Sequence, residues 1–289
     1  SMFVPYVTGK NFAVRVIVEI TFAAWILLAL YDVSYRPRLS WILTAAITFL
    51  GVMFFANLLG EYPLKSFWSN FERMDGYVTL VHFTAYFLLV GTVLRSEKLW
   101  SWFFNVTLGV ATLVCFYAFA QIAGSADISQ SSWRVDSTLG NSTYMAVYML
   151  FHVFIAAWMF ARTSSKNLRH AYAVLAFLFI YMLFQTGTRG AVLGLVGGGV
   201  LTTLYVALFA QGYPWVRRTA LSGLVVLVVL VSSFILLRNT ALVQDTPMLE
   251  RLTDINLEEG GVRFMVWGTA WEGVKERPLL GWGQENFSY

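Results

Sequence analysis

Charge is what this sequence has least of. Asp, Glu, Lys and Arg make up 12% of its 289 residues, about half the roughly 25% of an ordinary globular protein. So few charges exclude a soluble domain and a disordered chain. The single cysteine, Cys115, lies inside an apolar run, which excludes an internal disulfide and a secreted disulfide scaffold. Three histidines are present, His82, His152 and His170. No two have metal-ligand spacing and no Cys or carboxylate completes a set, so no metal site is expected. His82 and His152 are expected to be packed, hydrogen-bonded interior residues. Walker loops and nucleophile elbows are missing, and no alternating ten-residue strands support a barrel. Ser1-Met2-Phe3-Val4-Pro5 lacks the charged region and apolar core of a signal peptide.

What the sequence has in abundance is apolar length. Hydrophobic residues make up 58% and aromatics 17%, and the mean hydropathy is +0.64. Apolar runs occupy residues 12–31, 40–60, 76–94, 99–123, 139–161, 168–186, 191–210 and 216–237. A spanning helix needs about 20 apolar residues, so eight spans place about 160 residues in lipid. Only helices or closed barrels satisfy the backbone there. The expected fold is an all-α, polytopic membrane helix bundle over residues 1–237, followed by a polar segment over 238–289.

The basic residues set the orientation. Connections after spans one, three, five and seven carry nine Lys/Arg, and those after spans two, four and six carry four; Lys10 and Arg15 raise the second count to six. Basic residues collect on the cytoplasmic side, so the first set is expected inside, with the amino terminus and residues 238–289 outside. An outward amino terminus without a signal peptide suggests a preceding helix, and the outer segment 238–289 is expected to be cut short. The net charge of +4 and pI near 9.2 accord with basic membrane loops; no basic stripe points to nucleic acid. Glu19, four residues after Arg15, is expected to pair with it.

Four local features stand out. Phe67, Phe71 and Met74, with Trp68, predict a short amphipathic interfacial helix within 61–75, against the alternative of an aromatic belt cluster. Thr186-Gly187-Thr188-Arg189-Gly190 places an arginine at a helix amino terminus, where guanidinium and dipole suit phosphate; the alternative is an arginine snorkelling to water. Gly190, Gly194 and Gly198 at four-residue spacing predict close helix packing. Arg263 and Trp267 share a helix face, and Arg277-Pro278-Leu279-Leu280-Gly281 reads as a stop and turn; alone, this is a solvated amphipathic helix.

The ordered set resembles the O-antigen ligase and polymerase superfamily of bacterial envelope glycosyltransferases. It comprises Phe71-Glu72-Arg73-Met74-Asp75-Gly76, Gly140-Asn141, Thr186-Gly187-Thr188-Arg189-Gly190, and Arg263 to Trp267 leading to Pro278-Leu279-Leu280-Gly281-Trp282-Gly283. The resemblance implies a bacterial inner-membrane enzyme acting on undecaprenyl-diphosphate-linked glycans at the periplasmic face, without metal or cofactor. An acceptor hydroxyl, such as one on lipid A-core in lipopolysaccharide biosynthesis, attacks the anomeric carbon and lipid diphosphate leaves. It assigns Arg189 and Arg263 to the diphosphate, with Arg73 behind them, and Thr188, Asn141, Trp267, Gly281 and Gly283 to substrate binding. Ligase, polymerase and protein O-oligosaccharyltransferase activities stay open within the family. From another class, a transporter of a lipid-linked or anionic substrate stays open too, although no internal repeat is found. The family pattern includes a histidine beyond the Gly-x-Gly phrase, and the chain ends six residues after Gly283 without it. The 289-residue chain alone is therefore expected to be inactive.

Overall fold

A computed structural model of the chain describes residues 6–71, 73–129, 133–210, 212, 214–253 and 257–287. Glu72 of the Phe71–Gly76 phrase and the first five residues lie outside the described residues. The structure is all-helical among those described. Eight long helices match the eight apolar runs: α1 (Tyr6–Tyr31), α2 (Trp41–Leu58), α4 (Tyr77–Val93), α5 (Glu97–Ile122), α6 (Ser142–Arg162), α7 (Lys166–Gln185), α8 (Arg189–Phe209) and α9 (Pro214–Leu237). Four short or amphipathic helices complete the set: α3 (Pro63–Trp68), α10 (Ala241–Gln244), α11 (Pro247–Thr253) and α12 (Leu257–Glu276). Seven of the eight long helices are long and apolar enough to cross a membrane; α4, at 17 residues, is the shorter one. Seventeen is the lower end of spanning length, about 17–25 residues.

Local chemistry sets the boundaries. Ser40 caps α2 through the Leu43 N–H, and Asn141 caps α6 through the N–H groups of Thr143 and Tyr144. Both satisfy amides that the first helical turn leaves unpaired. Pro63 opens α3 and Pro214 opens α9, where the missing N–H costs nothing.

The chain divides into two units. The first comprises Ser1–Trp100 with Asn256–Tyr289, the second Ser101–Ile255. In the second, α5, α6 and α7 share the core. Leu108, Ala111, Cys115 and Ala118 recur at three- and four-residue steps on one face of α5 and meet Met145, Met149 and Ala156 of α6 and Phe179 and Met182 of α7. Small residues on α8 let it approach α6: a Cβ on Gly194 would lie 3.1 Å from Leu150, and one on Gly198 would lie 2.7 Å from Phe154. Gly194 and Gly198 thus serve close packing as their spacing predicts, while nothing lies within 4 Å of a Cβ on Gly190. His152 is buried in this unit and its Nδ1 lies 2.7 Å from the Tyr148 carbonyl.

In the first unit, α1 packs on α4 and α4 on α2. Two expectations change here. The helix within 61–75 covers only Pro63–Trp68. Ser69 adopts φ +61 and Met74 φ +56, which ends the helix, and the Asn70 side chain then accepts the Arg73 N–H. Phe67, Phe71 and Met74 therefore share no helical face: Met74 is buried and Phe71 exposed. Phe67 instead stacks edge-on against Phe54 and Tyr77, at 5.7 and 5.3 Å between ring centroids. Glu19 bonds His82 at 3.0 Å instead of Arg15. Arg15 turns the other way, donating to the Met74 carbonyl at 2.7 Å and to Thr79 Oγ1 at 2.6 Å.

Candidate functional site

In the second unit, the turn between α7 and α8 carries Arg189. Thr186 is fully buried and donates its hydroxyl to the Leu183 carbonyl at 2.7 Å. Gly187 then adopts φ +58, a left-handed conformation that favours glycine. A Cβ there would also strike Trp133 at 2.6 Å. Thr188 is the N-cap residue of α8 but its side chain makes no cap bond. Its hydroxyl instead receives a hydrogen bond from Arg134 Nη2 at 3.2 Å, and Arg134 Nε donates to the Thr186 carbonyl at 2.9 Å.

Arg189 begins α8 and donates its Nε to the Arg251 carbonyl at 2.6 Å. That contact ties α11 to the turn. Arg251 Nε is buried without a partner, and the Arg251 charge acts on Arg134, which together with desolvation holds the Arg134 guanidinium below its ordinary value. Burial is the larger cause. Three arginines, 134, 189 and 251, therefore gather around one turn. The helix dipole of α8 adds partial positive charge there.

A buried polar network delivers Arg134. Asp136 is fully buried; its two oxygens accept from Gln121 Nε2 at 2.7 Å and from the Ser129 N–H at 2.8 Å. Gln121 Oε1 in turn accepts the Ser137 N–H at 2.8 Å. These bonds tie Ser129, Asp136 and Ser137 to the end of α5. Asn141, expected at the substrate, spends its side-chain oxygen on capping α6.

The other expected site residues lie in the first unit. Arg73 is exposed, and its carbonyl accepts from Asn11 Nδ2 at 2.9 Å. Asp75 beside it has its carboxyl pushed up by burial first and by the neighbouring Glu285 charge second, against Arg73 and Arg15. On α12, Arg263 and Trp267 are both exposed, and Trp267 meets Phe264 edge-on at 5.4 Å. The helix ends at Glu276, as the Arg277-Pro278 signal predicts.

Beyond it the chain folds onto the α2–α3 hairpin. Arg277 pairs with Glu61 at 2.9 Å and stacks 4.0 Å over the Trp282 ring. The Glu61 N–H donates to the Trp282 carbonyl at 3.2 Å, and the Gln284 N–H donates to Asn57 Oδ1 at 2.7 Å. Gln284 Nε2 donates to the Asp75 carbonyl, and Asn286 Nδ2 to Ser66 Oγ at 3.0 Å. Gly281 and Gly283, read as substrate-binding, have φ +65 and +85 and shape this seam.

The sequence reading missed Arg134, Arg251, Asn57 and Asn286. A lone arginine or asparagine in a loop has no periodic signal. The one available clue was Arg251 four residues past Pro247, in a stretch too short to read as a helix.

Residues 173–289 match the family model described as O-antigen ligase. No curated protein and no solved structure matched the chain. The matched stretch contains Arg189, Arg251, Arg263, Trp267, Gly281 and Gly283. With its apolar helices of spanning length and this match, the chain is a multi-pass membrane protein whose residues 173–289 are similar to the O-antigen ligase family.

Proposed function

We propose that the protein transfers a glycan from undecaprenyl diphosphate to an acceptor hydroxyl at the periplasmic face of the bacterial inner membrane, as an O-antigen ligase. Residues 1–237 form the membrane bundle in this reading, and 238–289 the periplasmic segment. The acceptor oxygen forms a bond to the anomeric carbon, the bond from that carbon to the diphosphate oxygen breaks, and the acceptor proton passes to solvent or to a base. Lipid diphosphate leaves with the bonding electrons.

The observation that carries the reading is the gathering of Arg134, Arg189 and Arg251 around the turn at the head of α8. Like charges held together raise one another's cost, and a diphosphate offsets that cost while its charge grows during departure. Thr188, held by Arg134, supplies a hydroxyl on the same turn. Arg263, Arg73 and Trp267 belong to the first unit and are assigned to the donor and acceptor by family resemblance.

The test is transfer in detergent with the full-length protein, undecaprenyl-diphosphate glycan and lipid A-core or other hydroxyl acceptors. Arg189→Ala, Arg251→Ala and Arg263→Ala run beside it. One discrete mass shift of the acceptor, lost in the variants, supports a ligase; a ladder of shifts replaces it with a polymerase. Folded protein that consumes no donor with any acceptor refutes the proposal and favours a transporter.

A further inference from the structure

A second basic site lies at the end of the first unit away from the 59–76 connection. The amino end of α1 meets the 71–79 stretch through Thr8 and Arg15, so its carboxyl end and the connection to α2 lie at the opposite end. There a cavity of about 460 Å³ opens between that connection, the start of α2 and the end of α4. Its lining divides by chemistry. Arg36, Arg38 and Arg95 form the polar part with Ser34 and Ser40, and Leu43, Phe87 and Leu88 form an apolar wall. None of the eleven lining residues is acidic.

The arginines are placed differently. Arg95 is braced: its Nε donates to the Thr92 carbonyl, its Nη1 to Ser34 Oγ, both at 2.9 Å, and its guanidinium lies 4.1 Å over the Tyr35 ring. Arg36 spends its Nε on the Ala29 carbonyl at 2.9 Å. Arg38 is exposed and makes no hydrogen bond or ion pair to the described residues. Asp32, whose charge acts on Arg95, accepts the Ser34 N–H at 2.8 Å and is not part of the lining. Three arginines and no carboxylate in the lining make a positive site. Ser40 caps α2 from the cavity lining, so the positive end of that helix adds to it.

We propose that this cavity holds the phosphate headgroup of an anionic phospholipid, its acyl chain running along Leu43, Phe87 and Leu88. The shared chemistry is a phosphate oxygen pair held by arginine forks. A free phosphate would use the arginines alone. The apolar wall, on helices that carry lipid-exposed residues throughout, fits a lipid instead. The site is independent of the glycan reaction, since it uses none of the residues assigned to that reaction. An arginine-lined pocket between spans at the more basic face is the arrangement that recognises anionic headgroups.

The test is native mass spectrometry of the purified protein titrated with phosphatidylglycerol, with phosphatidylcholine and with inorganic phosphate. Each arginine near an anionic headgroup accounts for about fivefold in affinity. Arg38→Gln, which removes no protein contact, should weaken phosphatidylglycerol binding about fivefold, and Arg36→Gln with Arg38→Gln roughly 25-fold. Arg217→Gln with Arg218→Gln, basic positions outside this cavity, should leave binding unchanged. Equal retention of phosphatidylcholine, equal loss in both double variants, or an unaffected Arg38→Gln protein would overturn the site. Displacement of the lipid by millimolar inorganic phosphate would overturn the lipid assignment.

Discussion

Replacing Gly283 by alanine should open the seam that joins residues 277–287 to the α2–α3 hairpin. At φ +85 an L side chain costs about 1–2 kcal/mol. The new Cβ would lie 2.9 Å from Ser66 Oγ, 3.0 Å from Asn286 Nδ2 and 3.3 Å from the Ala56 carbonyl. Ser66 and Asn286 are fully buried and bonded to each other, so making room breaks that bond at about 1 kcal/mol. Alanine also stiffens the open chain, which offsets about 0.4–1 kcal/mol. The net is about 1–2.5 kcal/mol, roughly 5- to 60-fold on the local opening equilibrium. Gly281→Ala is the internal control, since φ is +65 and nothing lies within 4 Å of its Cβ. It carries the backbone cost without the collision, about 0–1.5 kcal/mol. Hydrogen exchange of peptides covering Glu61 and Gln284, whose amides cross the seam, reads the difference. Equal exchange in the two variants would refute the packing argument, and parental exchange in both would refute the whole account of the seam.

Three further outcomes follow from the same geometry. Arg251→Ala, which removes a guanidinium but keeps the backbone carbonyl that holds Arg189, should lower kcat about a hundredfold in the transfer assay while Tm stays near parental. Asp75→Asn should raise stability at pH 7. The folded carboxyl binds its proton more tightly than the ordinary 3.8, so parental stability falls as pH rises from that value through the raised one. The gain in the variant should therefore vanish below about pH 3.8, and a pH-independent gain would rule out the carboxyl as its source. Phe179→Ala, which empties the middle of the α5–α6–α7 core, should cost about 3–5 kcal/mol, measured as a drop in the denaturant midpoint; a shift smaller than that of Gly281→Ala would contradict the assigned core.

The spans were legible because lipid imposes one requirement on a long stretch: apolar side chains and internally paired backbone. All eight runs became helices within a few residues of their expected ends. The α4 run shows the limit, since its apolar stretch held but its helix stops at Val93 and is shorter than its neighbours. The 61–75 segment was misread because hydrophobic spacing carries no record of Ser69 and Met74 turning left-handed. Spacing gave Arg189 correctly as the head of α8, since Thr-Gly-Thr is a helix-start signal. It could not give Arg134 or Arg251, which reach the turn through a buried Gln121–Asp136 network and a seven-residue helix.

The same difference explains why arginine is the residue that repays a structural view in this chain. Arg15 and Arg277 are each bonded to a carbonyl, a hydroxyl or a carboxylate of the protein, and their local role is accounted for by those partners. Arg251 is different, because its Nε is buried without a partner and its charge acts on Arg134. A fold that wanted only anchorage would place such cations apart, where water solvates each separately. Holding them together on a turn fixed by Thr186, Gly187 and Asp136 is sensible when an anion completes the set. The distinction is measurable: a diphosphate analogue should raise Tm in the parent protein, and that rise should shrink in Arg251→Ala and persist in Arg277→Ala. If both variants retain the full rise, the arginines around the α8 turn are structural, and the donor is held elsewhere.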